Sequence, residues 1–376
     1  MKKKVQPEIE NNLGALRRKR GFSAAGLAKA VGISRQTVYA IEAGSYIPNT
    51  TAALRLAHAL EVKMEELFAL PGKLPAGDSL VESVTFLPGA EPAQTGQPVE
   101  LCRTGKTLFA STPSPAPWYF PPSDAVVASA AAGKGEVRVY DPEGGFGNRL
   151  LMAGCDPGIS VLARHARLAG VELVLAHRNS SQALELLKQG CVHVAGTHLR
   201  DEATGQSNLP QIGRTFPKSS VAVISFAVWE AGIVMARGNP KAVRGVEDFA
   251  RRGIRMVNRE PGSGSRLLLD SHLRRLKIDS RRVRGYRDLA AGHLAAAWQV
   301  RSGAVDCCIA TRAASRLFGL DFIPLVSERY DLAMRRRELD SPPVQLVLDI
   351  LNRASFRREL ESIGGYDART AGQRLL

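Results

Sequence analysis

From Glu136 onward, short apolar runs alternate with segments of helical periodicity. "RLLMAG", "VELVLAH" and "CVHVAG" are strand-like, and "GISVLARHARLAG" and "SSQALELLKQG" between them are helical. "AGIVMAR", "IRMVN" and "AVDCCIA" continue the strands, and "VEDFARR", "SRLLLDSHLRRL", "GHLAAAWQVRSG" and "TRAASRLFG" the helices. Period-2 and period-3.6 segments in regular alternation predict an α/β domain with mostly parallel strands over residues 136–376. Ligands on such sheets sit beyond the carboxyl ends of the strands.

The strand-to-helix junctions carry small polar groups. They are Cys155–Asp156, Asn179–Ser180–Ser181, Thr197–His198 and the stretch "VNREPGSGSRLLLD", with Asn258, Arg259, Gly262, Ser263, Gly264, Ser265 and Arg266, followed by Thr311. Helix N-termini offer unpaired N–H groups and partial positive charge. Serine hydroxyls add donors without bulk, so a small oxyanion can be held largely by neutral dipoles. One GSGS run is explained by helix capping alone; recurrence at several junctions predicts an anion or small polar ligand. His198 and His293 read either as ligands or as hydrogen-bonded structural histidines, Arg312 as an anion contact or a surface ion pair, and Tyr286 and Tyr330 as cleft lining or packing. No GxSxG, HExxH, Walker or Rossmann GxGxxG motif occurs.

This region resembles the periplasmic-binding-protein-like domain of bacterial regulators and molybdopterin-biosynthesis proteins, near the molybdate-binding and other type II binding proteins. "GTHLRDEATGQSNLP", "GIVMARGNP", "VNREPGSGSRLLLD", "SGAVDCCIATRAASRLFGLDFIPLVSERYDL" and "GGYD" carry the resemblance over roughly 136–370. It implies two α/β lobes joined by crossing strands, with the ligand in the cleft; the relatives suggest molybdate, tungstate or a molybdenum-cofactor-related compound. Two departures stand out. Glu260 replaces a basic or neutral residue and repels an oxyanion unless it points away or pairs with Arg259 or Arg266. "DCCIAT" replaces a glycine-containing version, which narrows the cleft.

The N-terminal segment 8–70 reads as five short helices. Ile9, Leu13 and Leu16 mark the inner face of the first; Ser23 caps the second and Ser34 the third. Ala28, Gly32 and Val38 supply a small residue at a helix crossing, a tight turn of positive φ and a branched residue beneath the next helix, which is helix-turn-helix geometry. "GISRQTVYAIEAGSYIP" is similar to the XRE (Cro/C1) type of helix-turn-helix regulator. A recognition helix over 34–42 then presents Ser34, Arg35, Gln36, Thr37 and Tyr39, with Arg17, Arg18 and Ser23 beside the DNA backbone. Arg pairs with guanine and Gln with adenine through paired hydrogen bonds. Many relatives place Gln after the cap of the second helix; here it is Ala24.

Residues 71–135 read as a linker followed by a small β-rich subdomain. "SLVESVTFL" and "VELCRTGKTLFAS" are strands, with "RTGK" as a hairpin turn, and "STPSPAPWYFPPSD" is too proline-rich for a helix or central strand. Trp118, Tyr119 and Phe120 read as packing or as a pocket cover. The 376-residue chain carries a net charge of +15, which favours phosphate-bearing partners. Its five cysteines have no CxxC spacing, so reduced, structural thiols are expected rather than metal ligands. No signal sequence or membrane span is legible, and a cytoplasmic location follows.

The combined reading is a multidomain, homodimeric transcriptional regulator. It binds a double-stranded DNA operator and responds to a small anionic effector, with no cofactor, metal or membrane. The alternatives are a molybdopterin-biosynthesis-related enzyme that acquired a DNA-binding head, a regulator of an unrelated small organic ligand, and a transport binding protein.

Overall fold

The computed structural model describes residues 10–69, 81–89, 92–112, 121–141, 146–201 and 204–376. Trp118, Tyr119 and Phe120 lie outside the described residues. The chain divides into two compact units, Met1–Ser79 and Leu80–Leu376.

The first unit contains β1 (Glu10–Asn11), α1 (Leu13–Lys19), α2 (Ala24–Val31), α3 (Arg35–Glu42), α4 (Thr50–Leu60), α5 (Met64–Leu67) and β2 (Phe68–Ala69). Polar caps start its central helices. Ser23 Oγ accepts from Gly26 N, Ser34 Oγ from Thr37 N, and Asn49 Oδ1 from Ala52 N. Each such cap is worth about 1 kcal/mol. Gly32 ends α2 at φ 75°, which lets the chain turn sharply into α3. Leu13, Leu27, Val38, Leu56 and Leu60 are fully buried in one core. The ends differ from the sequence reading. Helix α1 begins at Leu13, and Phe68 belongs to β2, which pairs antiparallel with β1.

The second unit opens with a closed barrel of β3 (Val81–Phe86), β4 (Pro98–Thr104), β5 (Thr107–Ser111), β6 (Ala125–Ala131) and β7 (Lys134–Val139). Gly105, at φ 60°, lies in the tight β4–β5 turn. "EVRVY", expected to start the α/β domain, instead falls largely in β7, which closes the barrel between β3 and β6. Arg149 joins barrel and sheet by donating to Leu101 O at 3.0 Å and to both Asp124 carboxylate oxygens, at 2.6 and 2.9 Å. Leu87, Cys102 and Phe109 of the barrel share a core with Leu151, Leu184 and Leu187.

The α/β region follows in order: β8 (Arg149–Gly154), α6 (Ile159–Leu168), β9 (Glu172–His177), α7 (Ser180–Gln189), β10 (Val194–Thr197), α8 (Leu209–Thr215) and β11 (Val221–Met235). It continues with β12 (Met256–Arg259), α9 (Gly264–Arg275), β13 (Leu289–Ala290), α10 (His293–Arg301), β14 (Cys307–Thr311) and α11 (Arg312–Leu317). Last come β15 (Asp321–Arg335), α12 (Pro342–Asn352), α13 (Ala354–Ile363) and β16 (Tyr366–Asp367). The nine-stranded sheet runs β13-β12-β14-β11-β15-β10-β8-β9, with β16 on β11.

This sheet is mixed, not mostly parallel. β8–β10 are mutually parallel at one end and β12–β14 at the other. The middle is antiparallel because β11 and β15, each 15 residues long, pair with each other through two register shifts. The sequence reading marked only the second half of β11, "AGIVMAR", as a strand. Separate apolar clusters cover the two ends of the sheet: Leu150, Leu162, Val347 and Phe356 belong to one end, Phe249, Leu269 and Ile309 to the other. Among the described residues no helix is long and apolar enough to cross a membrane.

Candidate functional site

In the first unit, α3 presents Arg35, Gln36 and Tyr39 to solvent, with Thr37 half-buried. Arg35 Nη2 donates to Tyr39 Oη at 3.1 Å, and its guanidinium lies 5.4 Å from the Tyr39 ring centre. The two side chains form one exposed cationic and aromatic surface. Ser23 and Ser34 are exposed caps, and Arg18 is exposed. Arg17 departs from the expected backbone contact. Its guanidinium is largely buried against Glu42, at 2.5 and 3.1 Å, and donates to Phe22 O. It ties α1 to α3, so the guanidinium is spent within the fold and not turned to a DNA backbone.

In the second unit, the carboxyl ends of β8, β10 and β12 and the first turns of α7, α9 and α10 meet around His198. Ser180 Oγ accepts from His198 N at 3.1 Å. Cys155 Sγ lies 3.3 Å from His198 Nε2, and Glu328 Oε2 lies 2.9 Å from His198 Nδ1. The imidazole packs edge-on to Trp229 at 4.8 Å and lies 5.7 Å from the ring of His293. Burial works against a charge on His198, but Cys155 and Glu328 together outweigh it and lift the imidazole to about 10. Burial and the nearby Arg259 hold His293 well below the usual imidazole value.

Glycines make this convergence sterically possible. A Cβ on Gly264 would stand 2.4 Å from His198 Cε1. On Gly196 it would stand 1.9 Å from Tyr330 Oη, and on Gly154 2.3 Å from the same oxygen. Tyr330 is fully buried, and its hydroxyl accepts from Cys155 N at 3.3 Å.

Several predicted residues are already committed elsewhere. Ser263 caps α9 by accepting from Arg266 N, and its hydroxyl donates to Glu260 O at 2.8 Å. Arg266 bonds Asp270 and Arg259 O and stacks 4.1 Å over Tyr286. Thr311 caps α11, Thr197 faces Asn208, and Asn258 bonds Tyr286 O. Asp156 accepts from Tyr366 Oη and Gly158 N, both at 2.6 Å; burial still raises its carboxyl to about 6. Arg312 pairs with Glu230. These roles are capping, packing or ion pairing, although Asp156 Oδ2 is buried with no hydrogen-bond partner among the described residues. Asn179 also caps α7, and its amide donates to Pro261 O; Ser181 Oγ donates to Gly262 O. These two bonds fasten the α7 loop to the Gly262 loop, where Gly262 sits at φ 88°.

Another group is not committed. Trp229 Nε1, Arg259 Nη1, Ser265 Oγ and both ring nitrogens of His293 are buried with no hydrogen-bond partner among the described residues. Each such group costs about 1–3 kcal/mol when left unmade, and native folds keep few of them. These four residues lie in the region of the His198 imidazole. Glu260 does not oppose an anion here, since both its oxygens accept from Arg259, at 3.0 and 3.1 Å. Trp229, Glu328 and His177, whose Nε2 is also buried with no hydrogen-bond partner among the described residues, were missed by the sequence reading, and His293 and Tyr330 were weighed without being assigned. Trp229 and Glu328 lie inside long strands, where nothing local distinguishes a site residue from core. A separate cavity of about 260 Å³ beside Arg200, Asn208 and Arg214 does not include the unpartnered groups. Chemically, the chamber can donate several hydrogen bonds to an anion, hold a proton on His198, or ligate a soft metal ion.

Residues 162–352 match the family model described as a PBP superfamily domain. The chain belongs to the PBP superfamily. Residues 13–67 match a helix-turn-helix model. The chain is 33% identical over 242 residues to YvgK of Bacillus subtilis (strain 168), an uncharacterised protein, a match covering 64% of this chain and 77% of that one. Its N-terminal part is 42% identical over 62 residues to YgzD of the same organism, an uncharacterised HTH-type transcriptional regulator, covering 16% of this chain and 94% of that one. Among solved structures, a phosphate ABC transporter substrate-binding protein from Clostridium perfringens is similar at 11% identity and TM-score 0.44, covering 58% of this chain and 98% of that one. A helix-turn-helix domain is thus joined in one chain to a PBP-like domain.

Proposed function

We propose that this protein is a cytoplasmic, homodimeric, DNA-binding transcriptional regulator whose PBP-like domain senses a small anion. The observation that carries the reading is the set of unpartnered buried donors on Trp229, Arg259, Ser265 and His293. They sit where the first turns of α7, α9 and α10 approach His198, and helix N-termini favour negative charge. Molybdate, tungstate or a molybdenum-cofactor-related compound is the effector class we propose. In this reading the domain is a two-lobed, type II receptor. β11 and β15 are the crossing strands, and the Asn179–Pro261 and Ser181–Gly262 bonds latch a closed cleft. On the N-terminal unit, Arg35 and Gln36 read bases, and Arg18, Ser23, Ser34, Thr37 and Tyr39 dock the backbone.

A ligand shifts the DNA-binding state only if it binds the two states differently. The test is a thermal-shift screen against molybdate, tungstate, sulfate, phosphate and molybdopterin precursors, followed by operator binding with and without the hit. An effector at one hundred times its Kd stabilises the domain by about 2.7 kcal/mol. A selective rise with one oxyanion is expected; no rise with any of them at millimolar concentration removes the anion assignment.

A further inference from the structure

Cys155 stands apart from the other four cysteines. Cys102, Cys191, Cys307 and Cys308 are buried in apolar clusters of the strands and their adjoining loop. Cys155 belongs to an apolar cluster as well, but its sulfur faces an imidazole. Its Sγ and one ring nitrogen from each of His198 and His293 lie within 4.8 Å of one another. We infer that Cys155, His198 and His293 bind a borderline-soft divalent metal ion of the zinc class, with Glu328 orienting His198 from behind.

Four observations carry this. The donor set is one sulfur and two imidazole nitrogens, the chemistry that selects zinc-like ions over magnesium or calcium. Glu328 Oε2 stands 2.9 Å from His198 Nδ1, so that nitrogen can keep its proton while Nε2, 3.3 Å from Cys155 Sγ, is the nitrogen placed to give its proton up to a metal. A carboxylate behind a metal-bound histidine is the usual outer-shell arrangement. His293 is 1% exposed, and neither of its ring nitrogens has a partner among the described residues. Finally, a metal-bound Cys155 sulfur and the Glu328 side chain would set negative charge against a doubly charged ion, while Arg259 is paired with Glu260.

The distances are compatible. Zn–S of about 2.3 Å and Zn–N of about 2.0–2.1 Å place ligand atoms roughly 3.3–3.6 Å apart around a tetrahedral ion. Cys155 Sγ and His198 Nε2, at 3.3 Å, already match. From separations within 4.8 Å, a closure of about 1 Å by His293 completes the set. Binding takes to solvent any proton held on Cys155 Sγ or His198 Nε2 and forms one metal–sulfur and two metal–nitrogen bonds, with no change of oxidation state. Three protein ligands leave one position open. An anion completing that position, backed by Trp229 Nε1 and Arg259 Nη1, would explain why donors and metal ligands share one chamber; this clause rests on the proposed anion-sensing function.

The experiment titrates Co²⁺ into the full-length, untagged, reduced and metal-stripped chain under anaerobic conditions. One equivalent is expected to bind with a near-ultraviolet sulfur-to-cobalt charge-transfer band, and Zn²⁺ should abolish that band. Cys155→Ser should lose the band. In a chelator competition, His293→Gln should weaken Zn²⁺ binding at least tenfold, and Glu328→Gln by about 10–100-fold. Should a variant fail to fold, Zn²⁺ protection of Cys155 against alkylation in the unaltered chain, read by mass spectrometry, gives a second measure. Absence of stoichiometric uptake, a charge-transfer band that survives Cys155→Ser, or alkylation of Cys155 unaffected by Zn²⁺ would overturn the inference. Running the oxyanion screen on stripped and Zn²⁺-loaded protein separates the two proposals. An anion shift without metal uptake sinks the metal site alone; metal uptake without any anion shift sinks the anion sensor alone.

Discussion

On α3, Arg35, Gln36 and Tyr39 stand exposed within five consecutive residues, on a helix whose cap, turn and buried face are set by neighbours close in sequence. In the second unit, Cys155, His198, Arg259, His293 and Glu328 are each buried and come from five different segments of chain. The first kind of site is a surface laid on a finished fold, and its side chains can change without disturbing the core. The second is part of the core. Its polar groups were withdrawn from water at a cost that only partners can offset. Function on α3 should therefore separate cleanly from stability, whereas in the chamber the two should be entangled.

The largest effect tests the entangled side. Gly196→Ala places a methyl 1.9 Å from Tyr330 Oη. Overpacking of this kind costs about 1–3 kcal/mol or more. The melting temperature of the second unit should fall by several degrees and any ligand-induced rise should disappear. A variant melting like the parent would mean the chamber is loosely packed and the comparison fails.

On the separable side, Arg35→Ala combined with Gln36→Ala should remove about 1–3 kcal/mol of base discrimination for each residue. Fluorescence anisotropy on specific and scrambled duplexes reads this directly. Melting should stay within about 0.5 kcal/mol of the parent, as for other surface changes. Retained operator preference would show that a different surface reads DNA.

Two serines two residues apart sharpen the contrast. Ser265→Ala removes an unpartnered buried hydroxyl, so ligand affinity should drop by about 1 kcal/mol with stability unchanged or slightly higher. Ser263→Ala removes a helix cap, so stability should fall by about 1 kcal/mol with little change in affinity. Calorimetry on both variants decides it; the opposite assignment would restore Ser263 as the anion contact.

The smallest effect lies in the barrel. Burial, helped by Asp124 and Glu172 and opposed by Arg149, pushes the Glu100 carboxyl up to about 7, against about 4.3 in an unfolded chain. The folded state thus holds this proton more tightly. Its contribution to stability is full below the unfolded value and declines as pH rises toward about 7. Glu100→Gln should flatten the fall in melting temperature across that window; an unchanged pH profile would show that Glu100 is well solvated.

Much of the first unit was legible because its signals are local. Ser23, Gly32 and Ser34 announce the caps and the turn, and Leu27, Ala28 and Val38 the buried face. Arg17 was misread because its partner, Glu42, lies 25 residues away. In the second unit the alternation gave an α/β domain, and the polar junction residues led to Cys155, Ser180, His198, Arg259 and Ser265. The antiparallel centre was not legible, because periodicity marks strands but not their partners. "EVRVY" was placed on the wrong side of a boundary for the same reason.

The sequence by itself determined where helices start and stop, which faces are apolar, and that glycine stands at positions such as Gly196 and Gly264. Those are properties of residues and near neighbours. Only the tertiary structure decided that Ser263 is spent on a cap while Ser265 is not, that Glu260 is neutralised by Arg259, and that Cys155 and His293 meet at His198. Whether a polar atom is free depends on which distant groups reach it once water is excluded, and that is set when the sheet closes around them.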